Sequence, residues 1–237
     1  MWTCAYVHEW TILRLANTMI TIAIIGQKGG TGKTTAATGL GVAAVNAGYQ
    51  TAILDLDPQA NAANWRDRRE AEGPAVESIQ LGRLRQTLKA AEAAGAEFVF
   101  IDTPGKSDTA AVEAARVADL VLIPVRPQIF DLETLSAVRD ALRIAGSPPS
   151  YVVLNGIHPT ATRSPAEQRE MISNAFQLPA SPVHLSHRAA FSEAPATGKA
   201  PQELEPKGRA AAELGALFAF VQNAVKQAKR KQAREVR

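Results

Sequence analysis

Two lysines set among glycines are the first residues in this chain whose spacing could do chemistry. After the apolar run Ile20–Ile25 the sequence reads Gly26-Gln27-Lys28-Gly29-Gly30-Thr31-Gly32-Lys33-Thr34-Thr35. Glycines let successive backbone N–H groups turn inward and form a nest for an anion. A helix starting near Lys33 would aim the positive end of its dipole at the same point. Lys33 is long enough to reach the outer oxygens of a polyphosphate. Thr34 offers a hydroxyl to Mg²⁺, and Thr35 can hold an α-phosphate. The strict P-loop pattern asks for glycine where Gln27 stands, but every physical part of a phosphate cradle is present.

Phosphoryl transfer also needs a metal ion and an oriented water, and so carboxylates at strand ends beside the cradle. Two apolar runs end that way: Leu54-Asp55-Leu56-Asp57-Pro58-Gln59 and Val99-Phe100-Ile101-Asp102-Thr103-Pro104-Gly105. Either aspartate alone could be a helix cap or a turn residue. Together, each after a strand and in this order, they suit a phosphate site.

The elements that must hold these residues follow from pattern. With 237 residues, 46% apolar and 21% charged, the chain can bury one sizeable core and is neither disordered nor fibrous. Strands are expected at Ile20–Ile25, Thr51–Leu54, Phe98–Ile101, Leu120–Val125 and Tyr151–Leu154, with a short extra one within Val76–Leu81. Helices are expected from Lys33 to about Ala47, closed by Gly48, and at about 60–72, 83–94, 108–117, 131–145 and 165–176. Strands alternating with helices imply an α/β fold: a mostly parallel sheet flanked by helices on both faces, in three layers. The Ala/Pro/Gly-rich stretch 194–208 reads as a surface loop. Leu214, Leu217, Phe218, Val221 and Val225 form an apolar stripe on a last helix that should pack on the sheet.

Residues 19–237 read as one domain. Residues 1–18 lack a signal peptide's basic start and read as an N-terminal extension, disordered or not native, with Met19 as the natural start. The lone Cys4 excludes an internal disulfide and a cysteine-rich metal site, and points to the cytoplasm. No apolar stretch is long enough to span a membrane. The net charge is only +3, but the segment from Lys226 onward carries six basic residues against Glu235, leaving residues 1–225 at −2. A solvated helix end explains such a cluster, and so does contact with a polyanion such as DNA.

The run Lys28-Gly29-Gly30-Thr31-Gly32-Lys33-Thr34-Thr35 resembles the deviant Walker A signature of the ParA/MinD group of P-loop ATPases. The extra lysine, Lys28, carries the likeness. In that family the signature lysine crosses a dimer to the partner's nucleotide, where a cation supplied in trans offsets charge on the transferred phosphoryl group. The resemblance implies a P-loop NTPase fold, ATP and Mg²⁺ as ligands, and hydrolysis coupled to an ATP-dependent homodimer. It implies that Asp57 positions the attacking water and contacts the metal through water, with Asp102 also on the metal and Asp55 in support. Gly105 would let its loop follow the γ-phosphate, and Asn155, after the fifth strand, would contact adenine. A turn asparagine is the plain alternative there. No guanine-reading NKxD-type string occurs, which favours ATP.

Within the group, the CxxC pair of iron–sulfur carriers and the cluster cysteines of nitrogenase-type reductases are missing. The tail after Val225 is polar almost all round, unlike a membrane-binding helix. The chain is similar to short, ParF-like partition ATPases without a helix-turn-helix domain. Their function would be DNA segregation: an ATP-bound sandwich dimer grips DNA non-specifically, and a centromere-binding ParB-like adaptor stimulates hydrolysis and releases it. Candidate DNA contacts are Lys226, Lys229, Arg230 and Lys231, then Lys199, Lys207 and Arg209, and Arg188 by resemblance. Such a protein would be nucleoid-associated. Three other readings stand beside this one: a positioning ATPase whose cargo is a chemoreceptor cluster or microcompartment, an ATP-dependent small-molecule ligase, and a nucleotide-binding scaffold that never hydrolyses.

Overall fold

β-branched apolar runs form the centre of the molecule, and the segments between them cover both faces. The computed structural model describes residues 19–235; the extension read at 1–18 lies outside the described residues. In chain order the elements are β1 (Ile20–Ile24), α1 (Lys33–Asn46), β2 (Thr51–Asp55), α2 (Asn61–Asp67), β3 (Ala75–Ser78) and, after a 3₁₀ turn, α3 (Leu84–Ala93). Then come β4 (Phe98–Asp102), α4 (Asp108–Val117), β5 (Leu120–Val125), α5 (Ile129–Leu132), α6 (Leu135–Ile144), β6 (Ser150–Ile157) and α7 (Pro165–Phe176). The last are β7 (Leu185–Ser186), α8 (Ala189–Glu193), α9 (Pro201–Leu204) and α10 (Arg209–Glu235).

The strands form one sheet in the order β3-β2-β4-β1-β5-β6-β7, and every pairing among them is parallel. Alternation of side chains splits the core in two. Ile22, Ile24, Ile53, Phe98, Phe100, Leu120 and Leu122 face α1 and the stripe of α10. Ala23, Leu54, Val99, Ile101, Val121 and Ile123 face α3, α4, α6 and α7. All five stripe residues of α10 are buried, Leu214, Leu217 and Val221 completely. Among the described residues no helix is long and apolar enough to cross a membrane.

Several expectations need correction. The helix expected at 131–145 is two, because the Asp131 carbonyl accepts both the Thr134 amide and the Thr134 hydroxyl, which tightens the chain between α5 and α6. The fifth expected strand extends to Ile157, so Asn155 lies inside β6 rather than after it. The helix expected at 60–72 ends at Asp67. The 194–208 stretch is not a loop draped on the surface. It forms a 3₁₀ turn and α9 and leads into α10, with Ala194, Ala200 and Pro201 buried. Pro195 and Pro201 open helical turns, where a missing N–H costs nothing, and its alanines allow close packing. The buried Trp65 of α2 donates through Nε1 to the Lys199 carbonyl at 2.9 Å, and Arg69 makes a two-oxygen ion pair with Glu203 at 2.8 Å. The short β7 gave no periodic signal.

Candidate active site

The loop between β1 and α1 sits at the carboxyl ends of the central strands. Gly32 precedes α1 with φ +98°, a left-handed conformation that glycine adopts without strain. A Cβ there would also collide with the amide of Asn155. That amide donates to the Thr31 carbonyl at 2.7 Å, so β6 braces the loop from behind. No side chain caps α1, which leaves its first-turn N–H groups for an anion.

Lys33 is buried, and its Nζ donates to the Lys28 carbonyl at 3.0 Å. Burial lowers its pKa, while the nearby Asp102 and Asp57 work in the opposite direction. Thr34 Oγ1 donates to Asp102 Oδ2 at 2.6 Å. Asp102 is completely buried, and its other oxygen, Oδ1, has no hydrogen-bond partner. Burial pushes its carboxyl up to about 7, with Thr34 pulling it down and Asp55 adding to the rise. The β2–β4 register sets Asp55 and Asp102 side by side. Asp55 accepts from the amides of Asp57, Ala62 and Ala63 at 3.0, 2.9 and 3.2 Å, so it anchors the start of α2. Asp57 is half-buried and accepts the Gln59 amide at 2.9 Å.

Of these groups, Lys33, Thr34 and Asp57 line a cavity of about 490 Å³. Gly29, Gly30, Gly32, Lys33, Thr34 and Thr35 form one wall; Asp57, Gln59, Asn61, Gly105 and Lys106 form the other. Gln59, Asn61 and Lys106 were not predicted from sequence. The loops after β1 and β4 touch: a Cβ on Gly105 would lie 3.0 Å from the Gly29 amide nitrogen, so a larger residue there would press on the phosphate loop. The donor set fits the expected ligands. Loop residues with free amides and a buried lysine border a phosphate-sized space, and an orphaned carboxylate oxygen beside a hydroxyl suits a hard cation.

Lys28 does not share the cavity with Lys33. Its Nζ lies 2.5 Å from Asp131 Oδ1, and Arg126 Nε lies 2.7 Å from Asp131 Oδ2. Burial alone would raise the Asp131 pKa, but hydrogen bonds from Arg126 and Lys28 hold it below the usual carboxylate range. Sequence reasoning missed Asp131 and Arg126. Asp131 is 103 residues from Lys28, and no local pattern joins them.

The predicted DNA contacts are not brought together. α10 runs alongside α1: a Cβ on Gly39 would meet Leu214, and Gln222 donates to the Tyr49 hydroxyl. Lys199, Lys207 and Arg209 are exposed near its start. Lys226, Arg230 and Lys231 are exposed at its other end, where Lys229 pairs with Asp119 at 3.4 Å. Asp119 also accepts the amide of Thr21 at the foot of β1, so this end lies opposite the phosphate loop. Arg188 is held by Glu213 at 2.6 Å and is less available than expected.

Comparison with known proteins agrees with this geometry. A family described as "CobQ/CobB/MinD/ParA nucleotide binding domain" matches residues 22–201. The chain is 28% identical over 207 residues to the maintenance of carboxysome distribution protein A of Halothiobacillus neapolitanus, covering 84% of this chain and 94% of that one. It is 30% identical over 185 residues to the chromosome partitioning protein ParA of Caulobacter vibrioides, covering 60% and 69%. Its fold is similar to the septum site-determining protein MinD of Pyrococcus horikoshii, solved with Mg-ADP, at a TM-score of 0.70, 18% identity and coverage of 86% and 96%.

Proposed function

The chain belongs to the CobQ/CobB/MinD/ParA nucleotide-binding family, and from that premise we propose that it is a DNA-segregation ATPase driven by an ATP-dependent dimer. It is a positioning ATPase of the ParA/MinD type that uses ATP and Mg²⁺. The N–H groups of Gly29–Thr35 and the Lys33 ammonium hold the phosphates. Thr34, Asp102 and Asp57 hold Mg²⁺, which offsets charge on the phosphate oxygens when bound. Asp57 orients the attacking water. Lys28 of each subunit reaches the other's phosphates, so turnover waits for pairing.

One observation carries this reading: the two loop lysines serve different places. Lys33 is buried at the phosphate cavity, whereas Lys28 is not among the residues that line it and has a side chain 36% exposed and paired with Asp131. A lysine needed only for its own subunit's phosphates would line its own cavity, whereas Lys28 instead holds Asp131. DNA is the proposed cargo surface because exposed basic residues at both ends of α10 suit a backbone grip that reads no bases. A centromere-binding ParB-like adaptor would stimulate hydrolysis. A microcompartment as cargo is the second reading, supported by the carboxysome-distribution relative.

The test is ATP turnover with and without duplex DNA, in the native chain and in Lys28→Ala. Native turnover should rise with DNA, and Lys28→Ala should bind ATP normally yet lose the stimulated rate. Stimulated turnover at the native rate in Lys28→Ala would overturn the in-trans role. A native rate indifferent to DNA would favour the other cargo.

A further inference from the structure

Asp131 is completely buried, yet two cations from different parts of the chain share its carboxylate. Lys28 Nζ holds Oδ1 at 2.5 Å, and Arg126 Nε holds Oδ2 at 2.7 Å. Arg126 Nη2 already lies 3.4 Å from Oδ1, the oxygen that Lys28 holds. The Asp131 backbone is fixed too, because its carbonyl accepts the Thr134 hydroxyl at 2.6 Å. The carboxylate is thus enclosed, whereas its two partners are each about one-third exposed.

A buried carboxylate stripped of its cations is strongly unfavourable. If Lys28 were its sole partner, withdrawing the lysine toward a neighbour's phosphates would leave that charge stranded. Arg126 removes the difficulty. A guanidinium is a planar fork that can grip both oxygens of one carboxylate, whereas an ammonium is a compact point charge that detaches alone.

We infer that Arg126 is a positioning residue that governs how readily Lys28 leaves Asp131. As the lysine withdraws, Arg126 closes onto both carboxylate oxygens, keeps Asp131 paired, and makes the loop lysine available for a second subunit. This inference rests on the in-trans reading of Lys28 and adds the element that regulates it.

The experiment is a double-mutant cycle read by sedimentation in a slowly hydrolysed ATP analogue. Arg126→Gln leaves Lys28 as the only charge on Asp131. Its affinity for the analogue should stay within about two-fold of native, while self-association weakens about ten-fold or more. Adding Asp131→Asn removes the trap, and self-association should return to within about three-fold of native, a rescue that a merely structural role for Arg126 would not produce. Native self-association in Arg126→Gln, or no rescue in a double variant that melts cooperatively, overturns the inference. Should Arg126→Gln alone fail to fold, Asp131→Asn decides: self-association at or above native supports the inference, and weaker self-association overturns it. Lys28→Ala keeps the two readings apart. Native stimulated turnover there removes the in-trans role itself, whereas an inactive Lys28→Ala beside an unaffected Arg126→Gln removes only the part given to Arg126.

Discussion

Lys33 and Asp102 face opposite electrostatic problems at the start of α1. Burial disfavours the charge on each, and each is a nearby counter-charge for the other. Phosphates on one side and a divalent cation on the other relieve both. Lys33→Ala should therefore lower affinity for a fluorescent ATP analogue by about 100-fold or more, since a buried charged hydrogen bond to phosphate is lost. Undiminished binding would refute the phosphate assignment. For Asp102 the folded pKa of about 7 lies above the ordinary 3.8. Between those values the folded chain keeps a proton that the unfolded chain has released. Stability from this group is thus full at acid pH and is lost as pH rises through about 7. In the ligand-free protein, the melting temperature should fall more steeply between about pH 5 and pH 8 than in Asp102→Asn. Equal slopes would remove the assignment. Because a cation takes the proton's place, binding of Mg-nucleotide should release protons at pH 6 and few at pH 8, as calorimetry in two buffers would show.

At the scale of elements, the short turns between residues 194 and 204 act as a clamp on α2. Trp65 is nearly fully buried, stacks 4.4 Å from the Arg69 guanidinium, and hydrogen-bonds the Lys199 carbonyl. Trp65→Ala should cost about 3–5 kcal/mol in urea unfolding. It should also loosen the Asp57–Asn61 wall of the cavity, because Asp55 ties that wall to the same helix. A loss under about 1 kcal/mol would show that the clamp carries little weight. α10 has a second role. Its stripe buries one sheet face while its two ends present separate basic groups. Neutralising Lys226, Arg230 and Lys231 should weaken duplex binding equally across sequences and flatten the salt slope by about one per lost phosphate contact. Unchanged affinity there, with a loss on neutralising Lys199, Lys207 and Arg209, would move the DNA surface to the start of the helix.

Across the whole molecule, the phosphate-loop cavity and the far basic cluster lie at opposite ends of the sheet. The 27 residues of α10 span roughly 40 Å. A dimer closing over the phosphate loops would leave the far end of α10 open. DNA binding at that end and ATP-dependent pairing should then occur together, and raised salt should weaken DNA binding while sparing the dimer. Competition between duplex DNA and self-association, seen by light scattering, would contradict this layout.

The sequence by itself determined the alternation of strands and helices and the phosphate cradle. Both depend on short contiguous stretches: apolar, β-branched-rich runs of four to six residues, and one turn from Gly26 to Thr35 whose parts lie within reach of each other in any fold that keeps the turn. Asp57 and Asp102 were legible for the same reason, since each ends or follows an apolar run. Only the tertiary structure decided the partners. Asn155 reaches Thr31 across 124 residues, and Asp131 reaches Lys28 across 103. Neither pairing leaves a trace in spacing, because each depends on the sheet order that sets β5 beside β1 and β6 beside β5. The same holds for residues 194–204, whose small apolar side chains read as a loop until Trp65 gave them a surface to pack on. Local composition fixes what a segment can form, while the neighbours supplied by sheet order determine what its side chains meet.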